Sequence, residues 1–510
     1  PDLLRDGLER DRFFDRLWVA VPNQPRLVRA IVAEQEDLWQ GDIPKFTTRP
    51  LSGDVRTSSG DSLDGIIEVP GLQVARARLA ALSDADLEQQ TWFVLAALGS
   101  LPGAPESASS ASAATWRGCA TPRRSAVRPP DASPADFLGA AHAVGRRLAD
   151  LALVGADDAT WLGLSSAGGG LSVVPLGADL YDGLPGVALF LAHLGRLSGD
   201  ADAMRLARKT VTRLQHQIDD GLAPLTTIGA FSGWGGLVYA YTQLAHLFDE
   251  DSLVQAARSI ATDRLPGLIA IDDQLDVASG AAGCLASLLT LHAVAPSPEV
   301  AMLATACGER LLTTARRMAH GIGWSTPASS GTPLTGFAHG AAGIACSLAR
   351  LSAVSGDQRF GAAAAAALTY ERSTFSASAG NWPDLRLGQD PQRFMLAWCH
   401  GAPGIGLGRL SALSVFDDAA ARADIDAALA TMLARVPVSG DALCHGELGN
   451  LDLLLVAAER FREPGLRALA RRRAADVLAR AEQPSGLRCA TPYGLQSPGL
   501  MTGLAGIGYG

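Results

Sequence analysis

Aromatic and charged residues are both scarce in this sequence. Phenylalanine, tryptophan and tyrosine make up 6% of the 510 residues and charged residues 19%, whereas hydrophobic residues reach 48%. A chain of this length and composition can bury a large core, as two domains or one very large one. Because alanine, leucine and glycine dominate and aromatics are few, the composition favours closely packed helices over sheets.

The sequence also lacks a positive charge excess, a membrane-spanning run and a regular set of cysteines. Its formal net charge of −9 argues against nucleic acid as a partner, because neutralising phosphates requires a basic face. It has no signal peptide and no apolar run long enough to span a bilayer, so no stable membrane insertion is expected. The seven cysteines, an odd number without regular spacing, indicate reduced thiols in a cytoplasmic protein.

The composition changes in one stretch of the chain. Residues 101–134 are rich in Ser, Ala, Pro and Gly, which predicts a flexible linker. Residues 1–100 ahead of it show helical spacing up to about residue 40, then a polar loop and a capping signal at Ser83 that opens another helix. Residues 135–510 form the second predicted domain. Since the sequence begins with Pro1 and stops within a helical pattern, we expect a fragment of a longer protein.

A G-x-x-G sequence followed by an apolar helical run recurs seven times beyond residue 180. The first glycines lie 50, 47, 60, 61, 45 and 57 residues apart. This spacing fits a helical hairpin with a variable connection, and seven copies predict an array of helix pairs. The first glycines of the repeats are Gly183, Gly233, Gly280, Gly340, Gly401, Gly446 and Gly503.

Closed into a ring, seven helix pairs give an all-α fold, an α/α toroid of seven inner and seven outer helices. The G-x-x-G turns would then gather at one end of the inner helices, and the residues before the glycines would line a common cavity. Several of these residues can titrate or bind a metal, namely Asp182, His339, Cys399, His400, Cys444 and His445.

Cys399, Cys444 and His445 form the strongest candidate site. Thiols and imidazole are ligands that zinc prefers, and three protein ligands leave a fourth position open for a substrate. An open position is typical of a catalytic zinc rather than a structural one. The alternative is that both cysteines are free and cap buried helices.

The repeats resemble those of the LanC-like cyclase family over roughly residues 135–510. This resemblance implies an α/α toroid around a zinc ion held by Cys399, Cys444 and His445. The matching motifs are Trp398-Cys399-His400-Gly401, Cys444-His445-Gly446, His339-Gly340 and Asp179-Leu180-Tyr181-Asp182-Gly183.

The resemblance also implies a reaction, the closure of thioether rings in a ribosomally made precursor peptide with a leader and a core. A peptide thiol at the open zinc position would add to the β-carbon of a dehydroalanine or dehydrobutyrine, forming (methyl)lanthionine. His339 matches the family's acid/base and would protonate the enolate. Asp179 matches the family's acidic position and would orient His339 or take the thiol proton, with a capping role as the alternative. His400 is expected to be a cavity wall.

The N-terminal part carries a second resemblance. Residues 38–46 are similar to a segment near the end of the dehydratase domain of class II lanthipeptide synthetases, the LanM enzymes. Residues 1–100 are therefore expected to be an α-rich, C-terminal part of a kinase-like dehydratase domain, which in a full-length enzyme uses ATP and Mg²⁺ to dehydrate Ser and Thr. These residues contain no Gly-rich phosphate loop or kinase-type catalytic loop, so this chain alone is not expected to dehydrate a peptide. Association with an export transporter is a further expectation.

One position departs from the family. Some members have an arginine four residues before the first zinc cysteine, where this sequence has Met395; Arg393 lies nearby but does not match, which leaves the source of a stabilising cation open. Two other functions also stay open. A toroidal glycoside hydrolase would need paired carboxylates, and Asp179 and Asp182 are close in sequence for flanking a sugar bond. A non-catalytic zinc-binding LanC-like protein would lack the dehydratase-like segment.

Overall fold

In a computed structural model, the chain forms two compact units, Pro1–Thr91 and Trp92–Gly510. The predicted linker at residues 101–134 lies almost entirely outside the described residues, so the predicted domain limits remain a prediction. The structure describes residues 6–21, 24–99, 132–165, 172–329, 331–386, 393–434, 438, 440–481, 486–491 and 495–510.

The first unit contains short helices and a small antiparallel sheet. Its elements are α1 (Gly7–Phe14), 3₁₀ helices at Asp15–Ala20 and Pro25–Leu27, α2 (Val28–Trp39), β1 (Thr47–Thr48), β2 (Val55–Arg56), β3 (Ser62–Leu63), α3 (Gly71–Ala80) and the start of α4 (Asp84–Gly99), whose residues from Trp92 onward belong to the second unit. Strand β2 lies between β1 and β3. Ser83 Oγ accepts the N–H of Asp86 at 3.2 Å, so the predicted capping residue does begin α4.

The second unit is the α/α toroid that the repeats predict. Inner and outer helices alternate along the chain, and α5 packs against both the first and the last inner helix. The inner helices are α6 (Leu184–Ser198), α8 (Trp234–Phe248), α10 (Ala281–Val294), α12 (Ala341–Ser355), α14 (Ala402–Ala412), α16 (Glu447–Phe461) and α18 (Leu504–Tyr509). The outer helices are α5 (Pro134–Leu151), α7 (Ala201–Asp219), α9 (Asp251–Ile271), α11 (Pro298–Thr314), α13 (Gln358–Ser373), α15 (Ala419–Ala434) and α17 (Pro464–Ala481).

Three short antiparallel hairpins lie between helices of the toroid. They pair β4 (Leu153–Val154) with β5 (Ala159–Thr160), β6 (Leu162–Ser165) with β7 (Ser172–Pro175), and β8 (Arg316–Arg317) with β9 (Ile322–Gly323). None of the helices in the described part of the chain combines the length and apolar character needed to cross a membrane.

Inner and outer helices begin in different ways. Outer helix α7 begins with a side-chain cap, since Asp200 accepts the N–H groups of Asp202 and Ala203. Every inner helix instead begins with the first glycine of its repeat as the N-cap. A glycine has no side chain with which to accept the free N–H groups of the first turn, so these groups need acceptors elsewhere in the protein.

The second glycine of each repeat allows a close approach of backbone to backbone. A Cβ atom at Gly404 would collide with the carbonyl oxygen of Trp398, and one at Gly449 with the carbonyl oxygen of Leu443. The first turn of each inner helix therefore packs directly on the turn before it, which explains the G-x-x-G pattern.

In each repeat, the residue two positions before the first glycine belongs to a closed ring of backbone hydrogen bonds. Its N–H donates to the carbonyl of the corresponding residue in the next repeat, and the seventh residue donates back to the first, with N···O distances from 2.7 to 3.3 Å. This ring, called the turn ring below, places the seven turns around one axis. Its members in order are Tyr181, Phe231, Ala278, Ala338, Cys399, Cys444 and Met501.

Candidate active site

The two predicted zinc cysteines are neighbours in the turn ring. The N–H of Cys399 donates to the carbonyl of Cys444 at 3.3 Å, and each residue is 5% exposed. Their thiols hydrogen-bond to each other, and the Cys444 thiol, acting as donor, lowers the pKa of Cys399. The fold therefore brings together two soft ligands that lie 45 residues apart in sequence.

His445, the third predicted ligand, follows Cys444 directly. Its Nε2 atom is buried without a hydrogen-bond partner among the described residues, and burial lowers the pKa of the ring, which favours the neutral form that binds metals. Across those same residues, no three His, Cys, Asp or Glu side chains form a ready-made metal cluster. The donor set of two adjacent thiols and an unpartnered imidazole fits zinc, although the three ligands are not pre-arranged around one point.

His339 is held by a carboxylate that the sequence reading missed. Its Nδ1 atom lies 2.7 Å from Oδ2 of Asp276, whose side chain is 2% exposed. The other oxygen of Asp276 accepts the N–H of Ser279, so the carboxylate is fixed by its own turn. Burial opposes charging of His339, but the hydrogen bond to Asp276 and its charge outweigh burial and raise the pKa of the imidazole.

The side chain of Asp179 contacts the backbone of its own turn rather than His339. Its Oδ1 atom accepts the N–H of Asp182 at 2.9 Å, which closes the turn before α6, and burial raises its pKa. The carboxylate that contacts the ring of His339 is that of Asp276, so Asp276 and not Asp179 is the acidic residue beside this imidazole. The capping alternative does not hold in its strict form, because the N-cap of α6 is Gly183 and the side chain of Asp179 closes the turn before it.

The carboxylate pair considered for a glycoside hydrolase is committed to backbone and side-chain contacts. Asp182 accepts the N–H and the hydroxyl of Thr502, while Asp179 accepts the N–H of Asp182. Burial raises the pKa of Asp182 to about 7. Two carboxyl groups in one turn, each occupied in holding that turn, do not flank a space for a glycosidic bond.

His400 forms a wall beside His339. The two rings stack with centroids 5.8 Å apart, and His400 is 1% exposed. Burial lowers its pKa to about 3, and neither ring nitrogen has a hydrogen-bond partner among the described residues. The ring is therefore neutral at physiological pH, in keeping with the wall predicted from the sequence.

Arg386, which the sequence analysis did not single out, brings a positive charge to the site. The guanidinium of Arg386 binds both oxygens of Asp384, at 3.0 and 2.9 Å, and its Nη2 atom lies 2.9 Å from the sulfur of Met395. Its charge lowers the pKa of Cys399 and of His445. Arg386 thus places a positive charge beside the residue that occupies the family's arginine position.

Aromatic side chains from four of the seven turns, the first, second, fourth and fifth, contact one another near the thiols. Tyr181 and Phe231 meet edge to face at 6.4 Å between ring centroids, as do Phe231 and Trp398 at 5.1 Å and Phe337 and Trp398 at 5.4 Å. The hydroxyl of Tyr181 hydrogen-bonds to Cys444. This aromatic wall covers one side of the site with apolar surface.

Comparison with protein families agrees with this architecture. Residues 174–510 match the family described as lanthionine synthetase C-like protein, and residues 1–49 match a domain of unknown function, DUF4135. The first match covers well over half of the chain, so the chain belongs to the lanthionine synthetase C-like family. Membership supports lanthionine cyclase activity, and DUF4135 ahead of the cyclase-like domain is the arrangement of LanM-type synthetases.

Solved structures of toroidal enzymes are similar to this chain at low identity, whereas no curated protein sequence matches it. Nisin cyclase is 19% identical with a TM-score of 0.48, covering 64% of this chain and 86% of its own. The unsaturated glucuronyl hydrolase from Bacillus sp. GL1 is 16% identical with a TM-score of 0.38, covering 59% and 82%. The GH76A α-1,6-mannanase from Salegentibacter sp. HEL1_6 is 10% identical with a TM-score of 0.39, covering 73% and 97%. At these values the likeness carries no argument about function.

Proposed function

We propose that this chain closes thioether rings by adding a cysteine thiol of a precursor peptide to a dehydroalanine or dehydrobutyrine of the same peptide. Cys399, Cys444 and His445 would hold the zinc ion. When bound there, zinc lowers the pKa of a coordinated thiol and so supplies a thiolate at neutral pH. The observation that carries the proposal is the pairing of His339 with Asp276 next to two adjacent buried thiols.

The reaction adds sulfur to the β-carbon and a proton to the α-carbon of the dehydro residue. The thiol gives up its proton, and the charged imidazole of His339 delivers one to the α-carbon from Nε2. Asp276 holds Nδ1 and favours the charged ring, so it orients the proton donor and balances its charge. The thiol proton then restores the imidazolium, which balances the step.

The remaining groups stabilise and enclose the reacting atoms. As sulfur adds, negative charge develops on the enolate oxygen, and Arg386 is the cation that would stabilise it. The aromatic wall of Tyr181, Phe231, Phe337 and Trp398 displaces water, which strengthens these electrostatic interactions. A peptide substrate is required by this chemistry, and its thiol must reach Cys399, Cys444 and His445.

The test is ring closure by the purified 510-residue chain on a peptide that already contains one dehydroalanine and one cysteine. Closure leaves the peptide mass unchanged but removes the free thiol, so alkylation followed by mass spectrometry reports it. We expect the purified chain to bind about one zinc ion and to remove the alkylatable thiol of the peptide. A chelator should abolish both effects, and added zinc should restore them. A well-folded chain that binds zinc weakly or not at all and leaves the thiol free would refute the proposal.

Arg386 yields a more specific prediction. We expect Arg386→Met to lower the kcat of ring closure on the order of tenfold to a hundredfold, because the charge that faces the developing enolate is lost. Zinc content should stay at the wild-type value. Arg393→Met, which removes an arginine of the same loop, is the matched control and should keep most of the activity. Equal losses in the two variants would show that Arg386 has no special role.

A further inference from the structure

Three consecutive inner helices receive a side-chain acceptor from outside their own turn. Oδ2 of Asp272 accepts the N–H of Ala281, the first residue of α10, and Oδ1 of Asn381 accepts that of Ala402, the first residue of α14. Oε1 of Glu371 accepts the N–H of Ala342 in the first turn of α12. The first N–H groups of α6, α8, α12, α16 and α18 go to backbone carbonyls seven residues earlier, so in α12 Glu371 accepts the second N–H group and not the first.

The three helices with side-chain acceptors follow the turns that carry Asp276, His339 and Cys399. Each acceptor replaces the side chain that the glycine N-cap lacks. The acceptor for the His339 turn differs from the other two, because Glu371 comes from an outer helix, α13, and carries a fully buried charge.

Glu371 accepts hydrogen bonds from both ends of the turn that carries His339. Its Oε1 atom accepts the N–H of Gly336 at 2.8 Å, three residues before His339, and the N–H of Ala342 at 3.2 Å, three residues after it. On the opposite side, the N–H groups of Phe337 and Ala338 donate to the carbonyl of Cys399. The imidazole is therefore carried on a short segment fixed by Glu371 on one side and by the Cys399 turn on the other.

A buried arginine connects Glu371 to the helix behind Cys399. Nη1 of Arg409, on α14, lies 2.9 Å from Oε2 of Glu371, and neither side chain is exposed. Nε of Arg409 donates to Asp424 on α15 at 2.9 Å, and Arg372 also binds Asp424. One carboxylate thus receives two N–H groups from the His339 turn and an ion pair from the helix that begins after Cys399.

Stability alone does not account for this arrangement. Removing two charges from water costs several kcal/mol per ion, and replacing a buried ion pair by apolar side chains is often neutral or stabilising. A buried carboxylate that accepts two backbone N–H groups on Oε1, and whose Oε2 lies 2.9 Å from Nη1 of Arg409, instead favours a single defined geometry for the groups that it holds.

We infer that Glu371 is a positioning residue for ring closure, which holds the His339 turn against the Cys399 turn through two backbone hydrogen bonds and its ion pair with Arg409. The inference rests on the proposed function. Glu371 contacts neither the substrate nor the zinc ligands, and its effect reaches the reaction through the placement of the imidazole relative to the thiols. Misplacement of a catalytic group by about 1 Å can lower a rate about a hundredfold.

The test uses one double variant, one conservative variant and one control in the 510-residue chain. Glu371→Met with Arg409→Met removes both charges and the acceptor, and leaves Asp424 paired with Arg372, so the chain should fold. Glu371→Gln keeps a carbonyl oxygen for the two N–H groups. Asp424→Asn removes a buried carboxylate charge from the same cluster without touching the turn.

We expect the double variant to keep its zinc and a KM close to that of the wild type, and to lose on the order of tenfold to a hundredfold in kcat. Glu371→Gln and Asp424→Asn should stay within about threefold of the wild-type kcat, because the turn keeps its acceptor. The inference is overturned if the double variant has the wild-type kcat, if Glu371→Gln loses as much as His339→Gln, or if Asp424→Asn loses as much as the double variant.

A second measurement separates this inference from the proposed function. In the ¹⁵N-labelled histidine spectrum, the Nδ1 signal of His339, assigned with His339→Gln, reports the hydrogen bond to Asp276. This signal should move in the double variant and stay in place in Asp424→Asn. A chain that closes no ring refutes the proposed function, whereas an unmoved signal in the double variant refutes the role of Glu371.

Discussion

Cys444→Ala should leave a folded chain that binds no stoichiometric zinc and closes no ring. The variant removes one of the two proposed sulfur ligands, and the remaining thiol and imidazole would be too few to hold a catalytic zinc. Loss of several kcal/mol of transition-state stabilisation corresponds to a rate decrease of about a thousandfold or more. Metal analysis and thiol alkylation of the peptide measure the two effects.

The matched control for this experiment is Cys284→Ala. Cys284 is also fully buried at the start of an inner helix, and its thiol pairs with Cys307 rather than with the predicted ligands. Each variant deletes one buried sulfur, which costs about 1 kcal/mol of stability or somewhat more. A Cys444→Ala chain that keeps one zinc, or that closes rings at the wild-type rate without zinc, would contradict the assignment.

His339→Gln and Asp276→Asn should both lower ring closure while leaving zinc in place. The first removes the proposed proton donor, and the second removes the carboxylate charge that holds the imidazole and favours its protonated form. General acid–base catalysis contributes about a hundredfold to ten-thousandfold, so kcat should fall by a factor in that range in His339→Gln and by a similar or smaller factor in Asp276→Asn. KM for the peptide should change little, because neither residue is part of the surface that is expected to bind the peptide.

Asp179→Asn is the control that decides between the two carboxylates. Asp179 and Asp276 both lie four residues before the first glycine of their repeats. Asp179 closes its own turn, whereas Asp276 reaches His339. We expect Asp179→Asn to keep kcat within about threefold of the wild type, since its turn retains backbone hydrogen bonds. A larger loss than in Asp276→Asn would return the orienting role to Asp179.

The toroid could be predicted from the sequence because a glycine is required twice in each repeat. One glycine caps the inner helix, in extended backbone conformation in six repeats and with a φ of 84° at Gly401, and the second lets that helix lie on the preceding turn, as at Gly404. These requirements recur wherever the architecture recurs, so they leave a pattern that periodicity can detect. The same pattern placed Cys399, Cys444 and His445 at corresponding positions of adjacent repeats.

Asp276 could have been found by the same reasoning carried one step further. Repeats that follow each other in sequence are neighbours in the ring, so the third repeat borders the fourth, which carries His339. The first repeat, which carries Asp179, is three turns away. The choice between two carboxylates at equivalent positions therefore depends on ring order, which the spacing of the glycines already contains.

Arg386 and Glu371 could not be predicted in this way. Arg386 lies within the segment closed by the isolated bridge between Pro383 and Phe394, where no periodicity fixes the direction of a side chain. Glu371 lies on an outer helix among alanines, and its buried position follows from packing of α13 against α12. Tertiary contacts of this kind leave no repeated signal in one sequence.

The turn ring has a consequence for the order in which the molecule assembles. Its last bond, from the N–H of Met501 to the carbonyl of Tyr181, joins residues 320 positions apart in the chain. Loop-closure entropy makes such distant contacts slow to form and dependent on the earlier ones. During synthesis on a ribosome, the Cys444 backbone cannot gain its acceptor until Met501 has emerged, so the thiol pair acquires its final setting only after residue 501 has been made.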